Sequence, residues 1–373
     1  MTRTSHRIAD RMALMDASGI RKVFDLAAKM KDPINLSIGQ PDFDVPQAAR
    51  EKAIEAIRAG LNKYTQTQGT AELRHTIAES CQAEFGWPAD RDYLVTSGVS
   101  GALMLAMLTL VNPGDEVVFT DPYFVMYVHL INLSGGRPVG ASTYDTGFQL
   151  DVQKLADAIT DKTRLLIINS PANPTGAVYG EKELREVAEI AAKRDLLIIS
   201  DEIYNFFCYD QPFVSMASLY ENTLLMRGYS KSYAMTGWRI GWCAGPKSIL
   251  DKMTMLQQYS FVCAPSMAQV GAVLAMSIDM SREIAAYRRK RDMVFEALGP
   301  TFGLIKPGGA FYAFVPAPGG DATAFVTRAI ENNVLIIPGN VFSSRNTHFR
   351  ISYATSDEKL QKGLDILVKL GKQ

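Results

Sequence analysis

Strand-like and helix-like segments alternate along the middle of the chain, and this alternation is the feature that most restricts its fold. The runs DYLVTSG, DEVVFTDP, TRLLIINSP and LLIISDEIY are predicted strands, and SGALMLAMLTLV and EKELREVAEIAAKRD are predicted helices between them. Near-continuous Leu, Ile and Val in the strands indicate a mostly parallel sheet covered by helices on both faces. The sequence therefore predicts an α/β protein whose ligands bind beyond the carboxyl ends of the strands.

Composition excludes several classes of partner. The 373 residues, 47% of them hydrophobic, are enough for a large core and for two domains. Lys plus Arg equals Asp plus Glu at 39 each, without blocks of like charge, so we expect neither nucleic acid nor a membrane as a partner. The four cysteines form no C-x-x-C pair and the four histidines form no cluster, so no metal site or disulfide framework is expected. The first thirty residues lack an unbroken apolar core like that of a signal peptide, and we expect a cytoplasmic location.

Polar side chains follow two successive predicted strands: Asn169, Ser170, Asn173, Asp201, Glu202 and Tyr204. Because the carboxyl ends of parallel strands meet at one edge of a sheet, both groups should face the same crevice. In TSGVSGAL a strand ends at Ser97 and Gly98, and a helix begins near Ser100. The free N–H groups at such a helix start favour an anion, most simply phosphate, although a plain Ser/Gly helix cap is the alternative.

One lysine, Lys231, lies between two serines in the otherwise sparsely charged segment GYSKSYAMTGWRIG. Its small and aromatic neighbours indicate partial burial, and a buried lysine with a lowered pKa is a useful amine nucleophile. An ordinary buried ion pair is the alternative interpretation. Together with the anion site, Asp201 and Asn173, this lysine completes the set of groups that a pyridine aldehyde phosphate needs.

The motifs NKYTQTQG, SGVSGAL, DPYFVMY, NSPANPTG, SDEIY, SKSYAMTGWRIG and FRISYATS follow one another along the chain. With them the chain resembles the class I/II aminotransferases of pyridoxal-phosphate fold type I, from about INLSIGQPDFDVP to the carboxyl end. The resemblance implies pyridoxal 5′-phosphate as cofactor, ping-pong transfer of an α-amino group between an amino acid and a 2-oxo acid, and 2-oxoglutarate with glutamate as one pair. The alternatives are β-elimination by a C–S lyase and a non-catalytic binding or regulatory protein. The complete lysine, aspartate and arginine set argues against the second of these.

The resemblance also implies roles for side chains around the cofactor ring. Lys231 would form the internal aldimine and, once released, carry a proton between the substrate α-carbon and the cofactor. Asp201 would pair with the ring nitrogen, and Tyr204 and Asn173 would hydrogen-bond the phenolic oxygen. Tyr123 would stack on the face of the ring.

A second group would hold the cofactor phosphate. The planar fork of Arg239, the backbone N–H groups near Val99 and Ser100, and the hydroxyl of Ser230 would contact it. Gly228 stands where many members of the family have a further serine that contacts phosphate.

Two more motifs extend the predicted site to the partner subunit and to the substrate. Tyr64 would reach the phosphate in the neighbouring subunit, so the resemblance implies a homodimer with shared active sites. Alternation in HFRISY places His348, Arg350 and Ser352 on one strand face, and Arg350 would bind the substrate α-carboxylate. Gly39 would let the backbone approach the same carboxylate, whereas His348 is expected to be a structural neighbour.

The domain boundaries come mainly from the family. We expect a large pyridoxal-phosphate-binding domain at residues 44–285 and a smaller α/β domain formed by residues 1–43 and 286–373. The segment up to about Met30 would close over substrate. Ser100 lies where dicarboxylate-selective relatives often carry a lysine, and QQYSFVCAPS contains no cation. We therefore expect neutral or aromatic amino donors to match or exceed aspartate.

Overall fold

The computed structural model describes residues 8–15, 30–87 and 91–373. The strands in these ranges are β1 (Ile34–Asn35), β2 (Arg91–Thr96), β3 (Glu116–Asp121), β4 (Arg137–Ser142), β5 (Thr163–Asn169), β6 (Leu197–Asp201), β7 (Thr223–Gly228), β8 (Gly241–Pro246), β9 (Tyr312–Pro316), β10 (Val334–Leu335), β11 (Ile337–Pro338) and β12 (His348–Ser352).

The α-helices of the same ranges are α1 (Gln47–Arg58), α2 (Ala71–Phe85), α3 (Gly98–Leu110), α4 (Met126–Leu133), α5 (Val152–Asp157), α6 (Glu181–Lys193), α7 (Tyr229–Ser232), α8 (Lys247–Gln258), α9 (Ser266–Ala275), α10 (Ser281–Phe302), α11 (Ala322–Glu331) and α12 (Asp357–Gly371). Short 3₁₀ turns lie at Asp10–Leu14, Tyr144–Thr146, Met216–Ser218, Thr236–Trp238, Pro318–Gly320 and Gly339–Val341.

Strands β2 to β8 form one large sheet in the order β2-β8-β7-β6-β5-β3-β4. All of them run in the same direction except β8, which is antiparallel to both β2 and β7. The four strands and two helices predicted from the alternation all form, as β2, β3, β5, β6, α3 and α6. The mostly parallel α/β sheet predicted from the sequence is therefore confirmed.

This sheet is apolar on both faces. Leu166 and Ile168 of β5 pack with apolar residues of α6, whereas Leu165 and Ile167 pack with residues of α3 on the other side. Successive side chains of a strand point to opposite faces, so a strand that is apolar throughout must be covered twice. The helices that cover it leave the strand ends as the open edge.

A smaller domain combines residues from near both chain ends. Its antiparallel sheet has the order β11-β12-β9, and β1 pairs in parallel with β10, which joins Ile34 to Val334. Phe349 and Ile351 of β12 pack with residues of α10 and α12 in one apolar core. The predicted boundaries near residues 44 and 285 stay a prediction.

One expectation concerns residues that the structure largely does not describe. The segment up to about Met30, predicted to close over substrate, lies largely outside the described residues. Within those residues, none of the helices combines the length and apolarity required to cross a membrane. The same ranges contain no group of three His, Cys, Asp or Glu side chains placed to hold a metal ion.

Candidate active site

A cavity of about 240 Å³ opens at the carboxyl edge of the large sheet, between that sheet and the smaller domain. All residues to which the sequence analysis gave a role with cofactor or substrate line this cavity except Tyr64 and Tyr123. The edge at which parallel strands end therefore does collect residues that are far apart in the sequence.

The ends of β5 and β6 are fixed to each other by side chains. Asn169 and Asp201 are register partners, and the Asn169 amide donates to the Asp201 carbonyl oxygen at 2.9 Å. The Asn169 side-chain oxygen accepts from the backbone N–H of Asn173 at 3.0 Å. Asn169 thus holds both the strand end and the following turn in place.

The carboxylate of Asp201 is buried, at 2% exposure, and it has one strong side-chain donor. The Tyr127 hydroxyl donates to Asp201 Oδ2 at 2.7 Å. Burial raises the pKa of Asp201 to about 6, although the Tyr127 hydrogen bond acts in the opposite direction. A cationic partner in the cavity would favour the ionised carboxylate.

Lys231 lies in the short helix α7, which follows β7 directly. Its Nζ donates to the Gly39 carbonyl oxygen at 2.5 Å. Burial, followed by the positive charges of Arg350 and Arg239, lowers the pKa of Lys231 to about 8, while Asp201 opposes the shift. The neutral amine is therefore far more accessible than in an ordinary lysine.

Arg350 is buried in β12, and its guanidinium contacts two hydrogen-bond acceptors and two aromatic rings. Nη1 donates to Asn173 Oδ1 at 3.0 Å and Nη2 donates to the Ser37 carbonyl oxygen at 2.7 Å. The rings of Tyr312 and Phe342 lie on the guanidinium, each with its centroid 4.5 Å from Cζ. The buried Nε has no hydrogen-bond partner among the described residues. An anionic acceptor in the cavity could satisfy it.

Two tyrosines and a glycine form the wall next to Arg350. The hydroxyl oxygens of Tyr204 and Tyr312 lie 2.9 Å apart. A Cβ at Gly39 would overlap the Tyr312 hydroxyl and lie 3.2 Å from its Cζ atom. Gly39 is therefore required here because the backbone passes directly against the Tyr312 side chain.

The start of α3 forms the other end of the cavity. The Ser97 side chain makes no capping hydrogen bond to this helix, so the alternative of a plain serine cap does not hold. Arg239 Nη2 donates to the Ser97 carbonyl oxygen at 3.3 Å, which places the cation beside the helix start. At Gly241 a Cβ would lie only 2.8 Å from the Val99 nitrogen, so glycine permits this close approach.

Several expectations about placement are wrong. Phe124 lines the cavity and Tyr123 does not, because the Tyr123 ring packs edge-on against Phe119 at 5.1 Å. Glu202 does not face the crevice, since it forms a buried ion pair with Arg227 at 2.8 Å. The hydroxyl of Ser170 likewise turns away and accepts the Tyr179 backbone N–H at 3.0 Å.

Sequence reasoning missed other residues of the site. Tyr127 lies inside the motif DPYFVMY, but nothing within that motif indicates that its hydroxyl contacts Asp201. Tyr312 begins β9 and lines the cavity, but nothing local in GGAFYAF distinguishes it from a core aromatic. The carbonyl oxygen of Ser37 contributes through its backbone, which leaves no signal in the sequence.

The fold and the cavity define an enzyme of the transaminase kind. Residues 31–367 match the family model of the class I and II aminotransferases, and the chain belongs to that family. Family membership implies pyridoxal phosphate, and it confirms the resemblance seen in the sequence.

Individual relatives agree with this assignment over almost the whole chain. The aspartate aminotransferase of Pyrococcus abyssi is 39% identical over 383 residues, which cover 97% of this chain and 98% of the relative. Aromatic-amino-acid aminotransferase 2 of Thermococcus litoralis is 38% identical, with 98% of each chain covered. A structure of a Thermus thermophilus aspartate aminotransferase tetra mutant complexed with tryptophan has 34% identity and a TM-score of 0.92, with 97% and 99% covered. The fold type I architecture is thereby confirmed.

Proposed function

We propose that the enzyme transfers an α-amino group reversibly between an amino acid and a 2-oxo acid by a ping-pong mechanism, with glutamate and 2-oxoglutarate as one pair. The observation that carries this proposal is that Arg350, a buried cation whose Nε has no hydrogen-bond partner among the described residues, lines the same cavity as Lys231. A buried N–H without a partner is costly, and a carboxylate would satisfy it. Arg350 would thus bind the α-carboxylate that all α-amino acids share, and Lys231 would lie next to their α-amino group.

The residues of the cavity fit pyridoxal 5′-phosphate. The uncapped start of α3 and Arg239 offer donors and positive charge for a phosphate, and buried Asp201 offers a counter-ion for a cationic ring nitrogen. When bound, the cofactor supplies an aldehyde that joins an amine and a ring that accepts electrons as the α-proton leaves.

The phosphate end would be held by four groups of this chain. The N–H groups of Val99 and Ser100, the hydroxyl of Ser230 and the fork of Arg239 all border the cavity. Gly228 leaves no hydroxyl at its position, and a Cβ there would lie 3.1 Å from Ile203 Cδ1. We therefore assign Ser230, and not position 228, as the hydroxyl donor from this segment.

The ring end would be held by residues from three strand ends. Asp201, fixed by Tyr127, would keep the ring nitrogen protonated, because a buried carboxylate gains most from an adjacent cation. Tyr204 and the amide N–H of Asn173 would donate to the phenolic oxygen, since the Asn173 side-chain oxygen is already taken by Arg350. Phe124 would cover the ring face in place of Tyr123.

Lys231 would move the proton at the substrate α-carbon. A pKa near 8 leaves an appreciable fraction of its amine neutral close to neutral pH, which suits a general base. Arg350, which lines the same cavity, would hold the α-carboxylate beside it through its guanidinium. The substrate would then be fixed at one end while Lys231 acts on the α-carbon.

The proposal includes a homodimer. Tyr64 and Tyr259 are each 84% exposed in the single chain, and Leu61 is 51% exposed. Phe261, also exposed, lies beside Gly101 of α3, near the proposed phosphate site. Large exposed apolar side chains of this kind are typical of an interface, and Tyr64 would reach the phosphate of the partner across it. A cytoplasmic location, in which the four unpaired cysteines stay reduced, completes the proposal.

The substrate side chain would be neutral or aromatic. The cations that line the cavity in the described ranges are Lys231, Arg239 and Arg350, and each has a role above. Ser100 and Leu103 also line the cavity, and neither brings a positive charge for a distal carboxylate. Alanine, phenylalanine or tyrosine should therefore match or exceed aspartate as donor.

A single-turnover experiment tests the proposal. Enzyme loaded with pyridoxal phosphate receives phenylalanine without any 2-oxo acid. We expect one equivalent of phenylpyruvate per active site, after which release stops until 2-oxoglutarate is added and glutamate forms. Sustained release of oxo acid and ammonia without an acceptor would contradict amino transfer. When a cysteine conjugate replaces phenylalanine, release of pyruvate and a thiol would support β-elimination instead.

A further inference from the structure

Two buried hydroxyls meet at the wall of the cavity. Tyr204 and Tyr312 are 3% and 1% exposed, and their oxygens lie 2.9 Å apart. Their rings are nearly perpendicular, at 85°, with centroids 5.6 Å apart. The two residues come from opposite sides of the domain junction, Tyr204 from the turn after β6 and Tyr312 from the start of β9.

The pair holds one proton more than its own hydrogen bond uses. Each phenol has a single proton to donate, and one of the two is taken by the bond between them. Neither hydroxyl has another acceptor within hydrogen-bond distance among the described residues. One buried O–H is therefore left to donate to something in the cavity, since a buried donor without an acceptor is costly.

The surroundings of Tyr312 decide which hydroxyl is free. The Gly39 backbone lies directly against the Tyr312 hydroxyl, and the Gly39 carbonyl already accepts from Lys231. On the ring face lies the Arg350 guanidinium, which offers donors and no acceptor. Among the described residues, the only hydroxyl acceptor beside Tyr312 is the Tyr204 oxygen, so we assign the Tyr312 proton to the bond between the two phenols, which leaves the Tyr204 proton for the cavity.

We infer that Tyr312 is a positioning residue, which orients the Tyr204 hydroxyl as a donor to the ligand oxygen that it faces. The inference rests on the proposed function, in which that ligand oxygen is the phenolic oxygen of the cofactor. Tyr312 also stacks on Arg350, so one side chain contacts both the carboxylate-binding group and the ring-binding group. Removing its hydroxyl should leave the stacking in place and free the Tyr204 hydroxyl to rotate.

The pH midpoint of the visible absorbance change of the loaded enzyme reports on this hydrogen bond. A donor to the phenolic oxygen favours the form in which that oxygen carries negative charge, so the donor lowers the midpoint. The charged groups that surround the pair are Arg350 and Asp201, and Lys231 and Arg239 line the same cavity. These four are unchanged in a Tyr→Phe substitution, so a shift reports the hydroxyl itself.

The test is a double-mutant cycle with Tyr312→Phe, Tyr204→Phe and both together. We expect Tyr312→Phe to raise the midpoint by about 0.5 to 1 pH unit and Tyr204→Phe to raise it further. In the Tyr204→Phe background, Tyr312→Phe should cause no additional shift, because it acts only through the Tyr204 hydroxyl. Additive shifts, or no shift in Tyr312→Phe, would overturn the inference.

Tyr353→Phe is the matched control. Tyr353 is equally buried, but its hydroxyl donates to the Ala310 carbonyl oxygen at 3.1 Å and does not line the cavity. Its loss should leave the midpoint unchanged, and an equal shift would make the Tyr312 effect unspecific and overturn the inference. Circular dichroism and melting temperature verify that Tyr312→Phe folds. If wild-type enzyme passes the single-turnover test and Tyr312→Phe shows no shift, the inference fails while the proposed function stands.

Discussion

The positive charge of Lys231 destabilises the folded protein, and Lys231→Met should remove this electrostatic cost. Its pKa falls from 10.5 to about 8 on folding, chiefly through burial. A cation with a lower pKa in the folded state binds fewer protons there than in the unfolded state, so stability rises with pH across the window from 8 to 10.5. Below pH 8 the folded protein carries the full penalty, which is about 3 kcal/mol at about 1.4 kcal/mol per pH unit.

Lys231→Met replaces the amine with an uncharged side chain of similar length. At pH 7 the substitution removes the penalty but leaves the Gly39 carbonyl without its donor, which costs about 1 to 3 kcal/mol. The second effect does not depend on pH. The stability of Lys231→Met relative to wild type should therefore decrease by about 2 to 3 kcal/mol between pH 7 and pH 10.

Urea unfolding of both proteins without cofactor, at equal protein concentration and at the two pH values, measures this difference. Lys359→Met is the control, because Lys359 is half exposed and removing it tests the loss of an ordinary ammonium. A wild-type to Lys231→Met difference that changes by less than about 0.5 kcal/mol between the two pH values would refute the reasoning, as would an equal change in the control.

Four further predictions follow from the proposed roles. Asp201→Ala should still bind cofactor but slow amino transfer by orders of magnitude in a single-turnover assay, and an unchanged rate would show that Asp201 is not the ring partner. Arg350→Lys should lower kcat/KM by about 100-fold, mostly through KM, because a point charge cannot replace the fork, and a loss below about threefold would contradict the carboxylate role. Steady-state kcat/KM for phenylalanine should match or exceed that for aspartate, and Ser100→Lys should shift the ratio of the two toward aspartate. A wild-type preference for aspartate above about tenfold would contradict this prediction, because it would require a cation not yet identified. Light scattering should show a dimer at assay concentration, and a fully active monomer would refute the role of Tyr64.

The large sheet could be predicted from the sequence because its strands are buried on both faces. Continuous apolar runs such as TRLLIINSP have few other solutions, and the helices between them fix the crossover connections. Once the strand ends were located, Asn173 and Asp201 followed directly. Glu202 could also have been excluded from the crevice, since successive strand residues point to opposite faces.

The rest of the site depends on contacts between distant parts of the chain. Tyr127 and Asp201 are 74 residues apart, and Tyr204 and Tyr312 are 108 residues apart. A pattern within one segment shows that an aromatic is half-buried, but it cannot show which partner its hydroxyl meets. The sequence analysis named Tyr123 for the ring face and did not consider Phe124, because two adjacent aromatics after a strand look alike until the packing around Phe119 is known.

The contact between Gly39 and Tyr312 restricts the order in which related sequences can diverge. Gly39→Ala in the present background would drive a methyl group into the Tyr312 hydroxyl, whereas after Tyr312→Phe the nearest ring atom would be Cζ, at 3.2 Å. A side chain at position 39 should therefore be better tolerated after the hydroxyl at position 312 has been lost. In the reverse order, Gly39→Ala comes first and meets the intact Tyr312 hydroxyl, so the residues tolerated at position 39 depend on the residue at position 312.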